Sequence, residues 1–137
     1  MASMTDRTRA ASIMDAILHG GSAPTYPTAL HLRLMTAQGS NTSNGTEATS
    51  GNCPGYTAGG VAITFGANSS GVSTSSNTPS WTATGSWTTI TSVEIWDTAG
   101  TPLRWFQGAL TANITGVANG DTVQFASGAV TCDASVW

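Results

Sequence analysis

The sequence has little charge and contains no lysine. Only 8% of its 137 residues are charged, whereas an ordinary soluble domain has about 25%. A surface that binds nucleic acid needs clustered basic side chains to displace counterions from phosphates. The basic residues here are four scattered arginines, Arg7, Arg9, Arg33 and Arg104. The sequence therefore predicts no nucleic-acid partner, and its nearly neutral surface favours association within a larger assembly.

Long apolar runs are also absent. No run approaches the roughly 20 apolar residues that a membrane-spanning helix requires, so no membrane association is predicted. Residues 1–18 contain four charged side chains and no uninterrupted apolar stretch, which distinguishes them from a secretory signal. Hydrophobic residues nevertheless make up 39% of the chain, too many for a disordered protein. We expect a folded chain that buries one sizeable core.

Cysteine is scarce, and its two positions do not suggest a metal site. Cys53 and Cys132 are far apart, belong to no CxxC pair and have no histidine at metal-ligand spacing. The pattern favours two free thiols, and a disulfide that ties a loop to the last strand is the alternative. We expect neither a metal nor a cofactor.

The titratable residues do not form an evident catalytic group. The sequence has no GxSxG motif, and His19 and His31 are expected at the surface or an interface. Glu94 and Asp97 could resemble the carboxylate pair of a glycosidase. However, Asp97 falls at a predicted turn, and Arg104 is a natural cross-strand partner for Glu94. The sequence therefore predicts a protein that is not an enzyme.

One helix is predicted near the N-terminus. Residues 4–19 contain several helix-forming alanines, and Gly20-Gly21 is expected to end the helix. The apolar side chains of this segment form one stripe, at Ile13, Met14, Ile17 and Leu18. We expect the stripe to pack on the chain's own sheet, with contact to a neighbouring subunit as the alternative.

Short strands are predicted over the rest of the chain. Alternating or β-branched segments, separated by Gly, Asn, Ser and Pro, indicate six to eight strands. A hairpin is predicted over residues 90–110, with a bulge or turn near Thr91-Ser92. The predicted strands cover residues 30–35, 60–65, 81–84, 87–97, 103–110, 114–117, 122–125 and 129–132.

These elements predict a mainly β fold with one N-terminal α-helix. Many short strands with turns between them are typical of an antiparallel β-sandwich, here of a jelly-roll-like kind. We expect one structural domain overall. Within it, residues 1–22 form the helix and a linker, and residues 23–137 form the β-sandwich.

Five tryptophans are many for a chain of this length. Most are expected in the core or at a subunit interface. Exposed tryptophans could also stack on sugars, so a carbohydrate-binding module is a competing interpretation. The residues predicted to form an interface are Ile13, Met14, Ile17, Trp81, Trp87, Trp105 and Trp137.

Several segments occur in an order that is typical of one group of proteins. They are AASIMDAILHG at residues 10–20, LHLRLMTA at 30–37, Gly55-Tyr56, GVAITFGA at 60–67, WTTITSVEIWDTAGTPLRWFQGAL at 87–110 and VANGDTVQFASGAVTC at 117–132. In this order the chain resembles a family of small virion proteins of tailed phages, described as tail-fibre-like or minor structural proteins. Ala58-Gly59-Gly60 and the extension from Cys132 to Trp137 depart from the family pattern.

The resemblance implies a non-catalytic virion protein that is made in the cytoplasm of a bacterial host and released by lysis. Its implied partners are further copies of itself, as a homo-oligomer, and other virion proteins such as the major capsid protein. Our first expectation is a capsid decoration or minor capsid protein that stabilises the particle surface. The alternative is a tail or tail-fibre component, including a host-glycan-binding adhesin domain.

Overall fold

The computed structural model describes residues 4–5 and 7–133, and it is mainly β with one N-terminal helix. The helix and strands follow the sequence in this order: β1 (Met4–Thr5), α1 (Arg7–His19), β2 (Leu30–Ala37), β3 (Thr46–Glu47), β4 (Val61–Ile63), β5 (Val72–Thr74), β6 (Ser80–Thr82), β7 (Ile90–Asp97), β8 (Arg104–Ile114), β9 (Thr122–Gln124) and β10 (Thr131–Asp133).

Antiparallel pairing joins six of the described strands into one main sheet. Its order is β1-β8-β7-β2-β3. Strand β4 also pairs with β2: β4 pairs with the first half of β2, and β3 pairs with the second half. Two short antiparallel ladders, β5 with β10 and β6 with β9, accompany it. The mainly β prediction with one helix is thus confirmed. The jelly-roll-like arrangement and the division after residue 22 stay predictions.

The β7–β8 hairpin is the centre of the main sheet and confirms the hairpin predicted over residues 90–110. The register between the two strands shifts between Ile90 and Ser92, where the change in apolar parity predicted a bulge. The predicted end of the second hairpin strand, at residue 110, was wrong, because β8 continues through residues 111–114. Ile114 pairs with Ile90, so the predicted separate strand at 114–117 is the end of β8.

Helix α1 is shorter than the sequence predicted. Its first residue is Arg7, since the backbone of Met4–Thr5 pairs with β8 as a strand. The C-terminal prediction is confirmed at Gly20, which follows the last helical residue with a φ of +66°. Glycine adopts this left-handed conformation without the steric penalty of a Cβ atom.

The apolar core lies on one face of the main sheet. Leu32 pairs with Ile95 and Leu34 with Val93, so these four side chains project to the same side. Tyr56 packs against them with its ring centroid 5.9 Å from that of Trp81. The buried cluster also contains Ala48, Cys53, Ile63, Ala83, Trp87, Ile90, Val123 and Val130.

Candidate interaction surface and the buried charge network

Helix α1 presents an apolar stripe to solvent. Met14, Ile17 and Leu18 are 58%, 75% and 68% exposed. The adjoining side of the helix, which includes Ile13 and Ala16, is half-buried. The stripe is therefore divided: Ile13 is half-buried, whereas the chain's own fold leaves Met14, Ile17 and Leu18 uncovered, contrary to the expectation that the whole stripe packs on the sheet. In a soluble protein, such an exposed apolar group is a candidate site for contact with another molecule.

Trp105 anchors the start of the helix to the sheet. The guanidinium carbon of Arg9 lies 6.0 Å from the Trp105 ring centroid, a distance at which a cation is attracted to the ring. The Tyr26 ring, in the segment between α1 and β2, lies 6.4 Å from the same indole. Trp105 itself is buried, and its indole nitrogen donates a 3.0 Å hydrogen bond to Asp97 Oδ2.

Asp97 closes the turn between β7 and β8. Its Oδ1 atom accepts hydrogen bonds from the backbone nitrogens of Leu103 at 2.9 Å and Ala99 at 3.3 Å. Burial alone would raise the pKa of this carboxyl. The hydrogen bonds from Trp105, Leu103 and Ala99, together with the charge of Arg9, outweigh burial and lower the pKa below its ordinary value of 3.8.

Asp97→Asn is expected to destabilise the protein by about 1–3 kcal/mol at pH 7, since hydrogen bonds to a charged acceptor are lost. A carboxyl with a lowered pKa in the folded state stabilises fully above its unfolded pKa and loses this effect as the pH falls through the folded pKa. The difference between the two proteins should therefore shrink below pH 3.8. Urea unfolding from pH 7 to pH 2.5 measures it, and a difference independent of pH would refute this explanation.

Two of the other predicted interface tryptophans are covered by the chain's own fold. Trp81 and Trp87 lie in the apolar core, and the Trp87 indole donates a 2.8 Å hydrogen bond to the carbonyl of Pro54. Trp137 lies outside the described residues. Of the predicted interface set, the exposed side chains are therefore Met14 and Ile17, with Ile13 half-buried beside them.

A buried ion pair lies on the face of the main sheet opposite the apolar core. Arg104 Nη1 donates to Glu94 Oε1 at 3.0 Å, and both side chains are only 1% exposed. These two residues are the cross-strand partners proposed from the sequence, but they lie in the interior. Arg104 also donates to the carbonyls of Ser40 at 2.6 Å and Ser43 at 2.7 Å. The loop over residues 39–45 thus covers the pair and is held by it.

The covering loop approaches the ion pair with its backbone. The Gly45 nitrogen donates to Glu94 Oε1 at 2.7 Å. A Cβ atom at Gly45 would lie 2.6 Å from the carbonyl oxygen of Ala37, and one at Gly39 would lie 2.5 Å from the Gly45 nitrogen. These separations are too short for a side chain, so the two glycines allow the loop to lie close to the sheet.

A second ion pair continues this network toward the edge of the sheet. Arg33 Nη1 donates to Glu47 Oε2 at 3.1 Å, and its guanidinium carbon lies 4.2 Å from the ring centroid of Trp96. The Trp96 indole donates to Glu94 Oε2 at 2.9 Å. The indole therefore connects the two ion pairs. Hydrogen bonds to charged groups are stronger than neutral ones, so this network fixes the loops on the polar face.

Tyr56 links the polar network to the apolar core. Its hydroxyl donates to Glu47 Oε1 at 2.8 Å, while its ring stacks on Trp81. Burial, together with the hydrogen bond to Glu47, raises the pKa of Tyr56 well above its usual value. The hydroxyl therefore keeps its proton and remains a donor. Neither Tyr56 nor Glu47 was predicted as a site residue, because each lies in a segment whose composition indicates a loop.

The described residues give no chemical group an evident catalytic role. In residues 4–5 and 7–133, no three His, Cys, Asp or Glu side chains are grouped so that they could hold a metal ion. Cys53 and Cys132 are free thiols. Burial raises the pKa of Cys53, and it raises that of Cys132 to about 12, which disfavours the nucleophilic thiolate. None of the described helices is long and apolar enough to cross a membrane.

The structure thus combines a β-sheet whose polar face is covered by loops with a helix that exposes an apolar stripe. A family model described as "Podophage GP4 fiber I protein gp80" matches residues 3–133. No curated protein matches the chain. The family match covers the helix, the main sheet and both short ladders, so it applies to all of the elements described above.

Proposed function

Because the chain belongs to this family of podophage fibre proteins, we propose that it is a fibre subunit that contacts its neighbours through the exposed stripe of α1. Membership makes the chain a structural component of the virion and not an enzyme. The finer claim, that α1 makes the contacts, rests on the exposure of Met14, Ile17 and Leu18.

The family favours the tail-fibre alternative over the first expectation from the sequence. Capsid decoration was inferred from small size, a nearly neutral surface and the resemblance to phage virion proteins, and all three are equally compatible with a fibre subunit. The family model names a fibre protein, so capsid decoration has no remaining support. A fibre subunit needs lateral or axial contacts with other virion proteins, and an exposed apolar stripe provides surface for such contacts.

The stripe has enough apolar surface to contribute measurably to association. Full burial of a Met, Leu or Ile side chain stabilises by about 1.5–3 kcal/mol. Three side chains that are each more than half exposed would therefore contribute several kcal/mol before the costs of association are subtracted. A tenfold change in affinity corresponds to about 1.4 kcal/mol, so removal of part of the stripe should be detectable.

The same observations weaken the glycan-binding alternative. Sugar stacking requires an openly exposed aromatic ring. Trp81, Trp87 and Trp105 are buried, and the half-buried Trp96 carries the guanidinium of Arg33 on its ring. Among the described residues, the tryptophans therefore do not provide the binding platform that motivated this alternative.

The double substitution Met14→Ser/Ile17→Ser is expected to weaken association of the purified protein at least tenfold. Both side chains are exposed, so their loss should leave the sheet intact while it removes apolar contact area. Sedimentation equilibrium over a range of concentrations measures the association, and circular dichroism checks the fold. Incorporation into virions should fall in parallel when the variant replaces the native chain in an infecting phage.

A matched control for this experiment lies on the same helix. Asp15→Ser/His19→Ser changes two exposed polar positions that pair with each other and do not belong to the stripe, and it should associate like the native protein. Equal association of the stripe variant and this control would eliminate α1 as the contact surface. Equal incorporation of the stripe variant and the control into virions would eliminate α1 as a contact surface in the assembled particle.

A further inference from the structure

The first two elements of the chain form an arm with few contacts to the rest of the molecule. We define the N-terminal arm as β1 and α1. Its strand has two register pairs with β8, Met4 with Gln107 and Thr5 with Phe106. Its helix is held through Arg9, near Trp105 and Asp97. A helix of 13 residues is marginal by itself in water, so the arm depends on the surface on which it docks.

The segment after the arm can redirect it. Gly20 has a φ of +66° and is followed by Gly21, so the chain can change direction here with little steric cost. The next residue with a described ring contact is Tyr26, against Trp105. Residues 20–25 are largely exposed and could span roughly 20 Å when extended. This length is sufficient for the arm to leave its own sheet and reach an adjacent molecule.

The docking position of the arm is the outer edge of β8. Among the described residues, β8 runs over 11 positions, but β1 pairs with it only at Phe106 and Gln107. Beyond these pairs, a cleft of about 300 Å³ lies beside the strand, lined by Leu110, Thr111, Ala112, Ile114, Gln124, Phe125 and Ala129. Unpaired strand edges next to apolar surface are sites where a further strand can add.

We propose that, in the fibre, the N-terminal arm of one copy docks on the β8 edge of a second copy. This inference rests on the proposed function, because it requires subunits of this chain to be neighbours. The second copy is the fitting occupant because its arm brings the same strand, in the same register, to the same edge. Exchange of an identical element preserves the pairing and the Arg9–Trp105 contact, so it costs little free energy.

Exchange also accounts for the exposed stripe. When arms pass between two molecules, each helix lies beside the junction of both, where Met14, Ile17 and Leu18 can be covered. In a single copy these side chains remain in water. If the neighbouring molecule covers them, the exchanged arrangement gains burial of apolar surface that the isolated subunit leaves exposed.

A disulfide placed between β1 and β8 tests the exchange. Met4→Cys/Gln107→Cys puts two thiols at paired positions, at the Cα separation of an antiparallel pair, which suits a disulfide. Assembled protein is oxidised with copper phenanthroline and run on a non-reducing gel. Exchange predicts that most of the linked protein is dimeric or larger. Met4→Cys and Gln107→Cys alone serve as controls, and the native thiols should react slowly because their pKa values are raised.

The outcomes separate this inference from the proposed function. Linked monomers in a protein that still associates would overturn arm exchange and leave the fibre contact through α1 intact. A protein that neither associates nor enters virions would overturn both. If these two cysteines form no disulfide, either within one chain or between two chains, β1 does not pair with β8 and exchange is overturned as well. A flexible insertion of eight Gly and Ser residues after Gly21 should reduce the dimeric fraction several-fold, because it favours docking within one chain.

Discussion

Arg104→Met is expected to lower the free energy of unfolding by about 3–5 kcal/mol, because it leaves the carboxylate of Glu94 buried without its charged partner. The loss extends beyond the ion pair. The guanidinium also holds the carbonyls of Ser40 and Ser43, so the loop over residues 39–45 should detach from the sheet. Denaturant unfolding measures the stability, and hydrogen exchange at the Gly45 amide, which donates to Glu94, reports the loop.

Two controls show whether burial of the charge is the cause. Glu94→Leu/Arg104→Met removes both charges, and it should recover a substantial part of the lost stability, since a buried pair can often be replaced by apolar residues. Asp15→Asn breaks the exposed contact to His19 on α1 and should change the stability by less than about 0.5 kcal/mol. A double variant no more stable than Arg104→Met would argue that loop attachment, and not charge burial, dominates.

The main hairpin could be predicted from the sequence because its signals are local. Residues 90–110 combine β-branched and aromatic side chains around a turn, and the parity change at Thr91-Ser92 corresponds to the observed shift in register. Alternation in residues 30–35 likewise predicted β2. From the predicted hairpin alone, Glu94 and Arg104 could be placed on adjacent strands, although in the structure Glu94 is opposite Gln107 and Arg104 is opposite Trp96.

The rest depends on contacts between distant segments. Strands β3 and β5 have two and three residues and lie in stretches rich in Ser, Asn, Gly and Thr, whose composition indicates loops. They form strands because β2 and β10 supply the hydrogen-bonding partners. The depth of Glu94 was equally unpredictable, since the loop that buries it is about 50 residues earlier in the chain. Only the tertiary structure turns this outward-facing strand position into an interior one.

Helix α1 is a second feature whose surroundings could not be predicted from the sequence. Its stripe was evident in the sequence, but periodicity shows only that a helix has an apolar side, and not which molecule covers that side. The structure places the stripe in water, and the family places the chain in a fibre. Apolar positions that the subunit's own fold leaves uncovered are therefore the ones that we propose as its contact residues.

Trp81→Ala is expected to destabilise the protein by about 3–5 kcal/mol, the range for removal of a large aromatic side chain from a packed core. Trp81 stacks on Tyr56 and meets Phe125 edge-on, with ring centroids 5.9 Å and 6.4 Å away. Its removal leaves a cavity between the main sheet and the β6–β9 ladder. Because Tyr56 also donates to Glu47, the substitution should loosen the polar face as well as the core.

Trp81→Phe separates packing from hydrogen bonding at this position. The Trp81 indole nitrogen is buried, and no described residue accepts a hydrogen bond from it. An unsatisfied buried donor costs about 1–3 kcal/mol, so its removal should offset most of the lost ring area and leave the stability within about 1 kcal/mol of native. Trp87→Phe is the matched control, since that indole does donate, to the carbonyl of Pro54. It should be at least about 1 kcal/mol more destabilising than Trp81→Phe. Denaturant unfolding of the three variants measures these differences, and equal losses in the two phenylalanine variants would show that the Trp81 nitrogen is satisfied in solution.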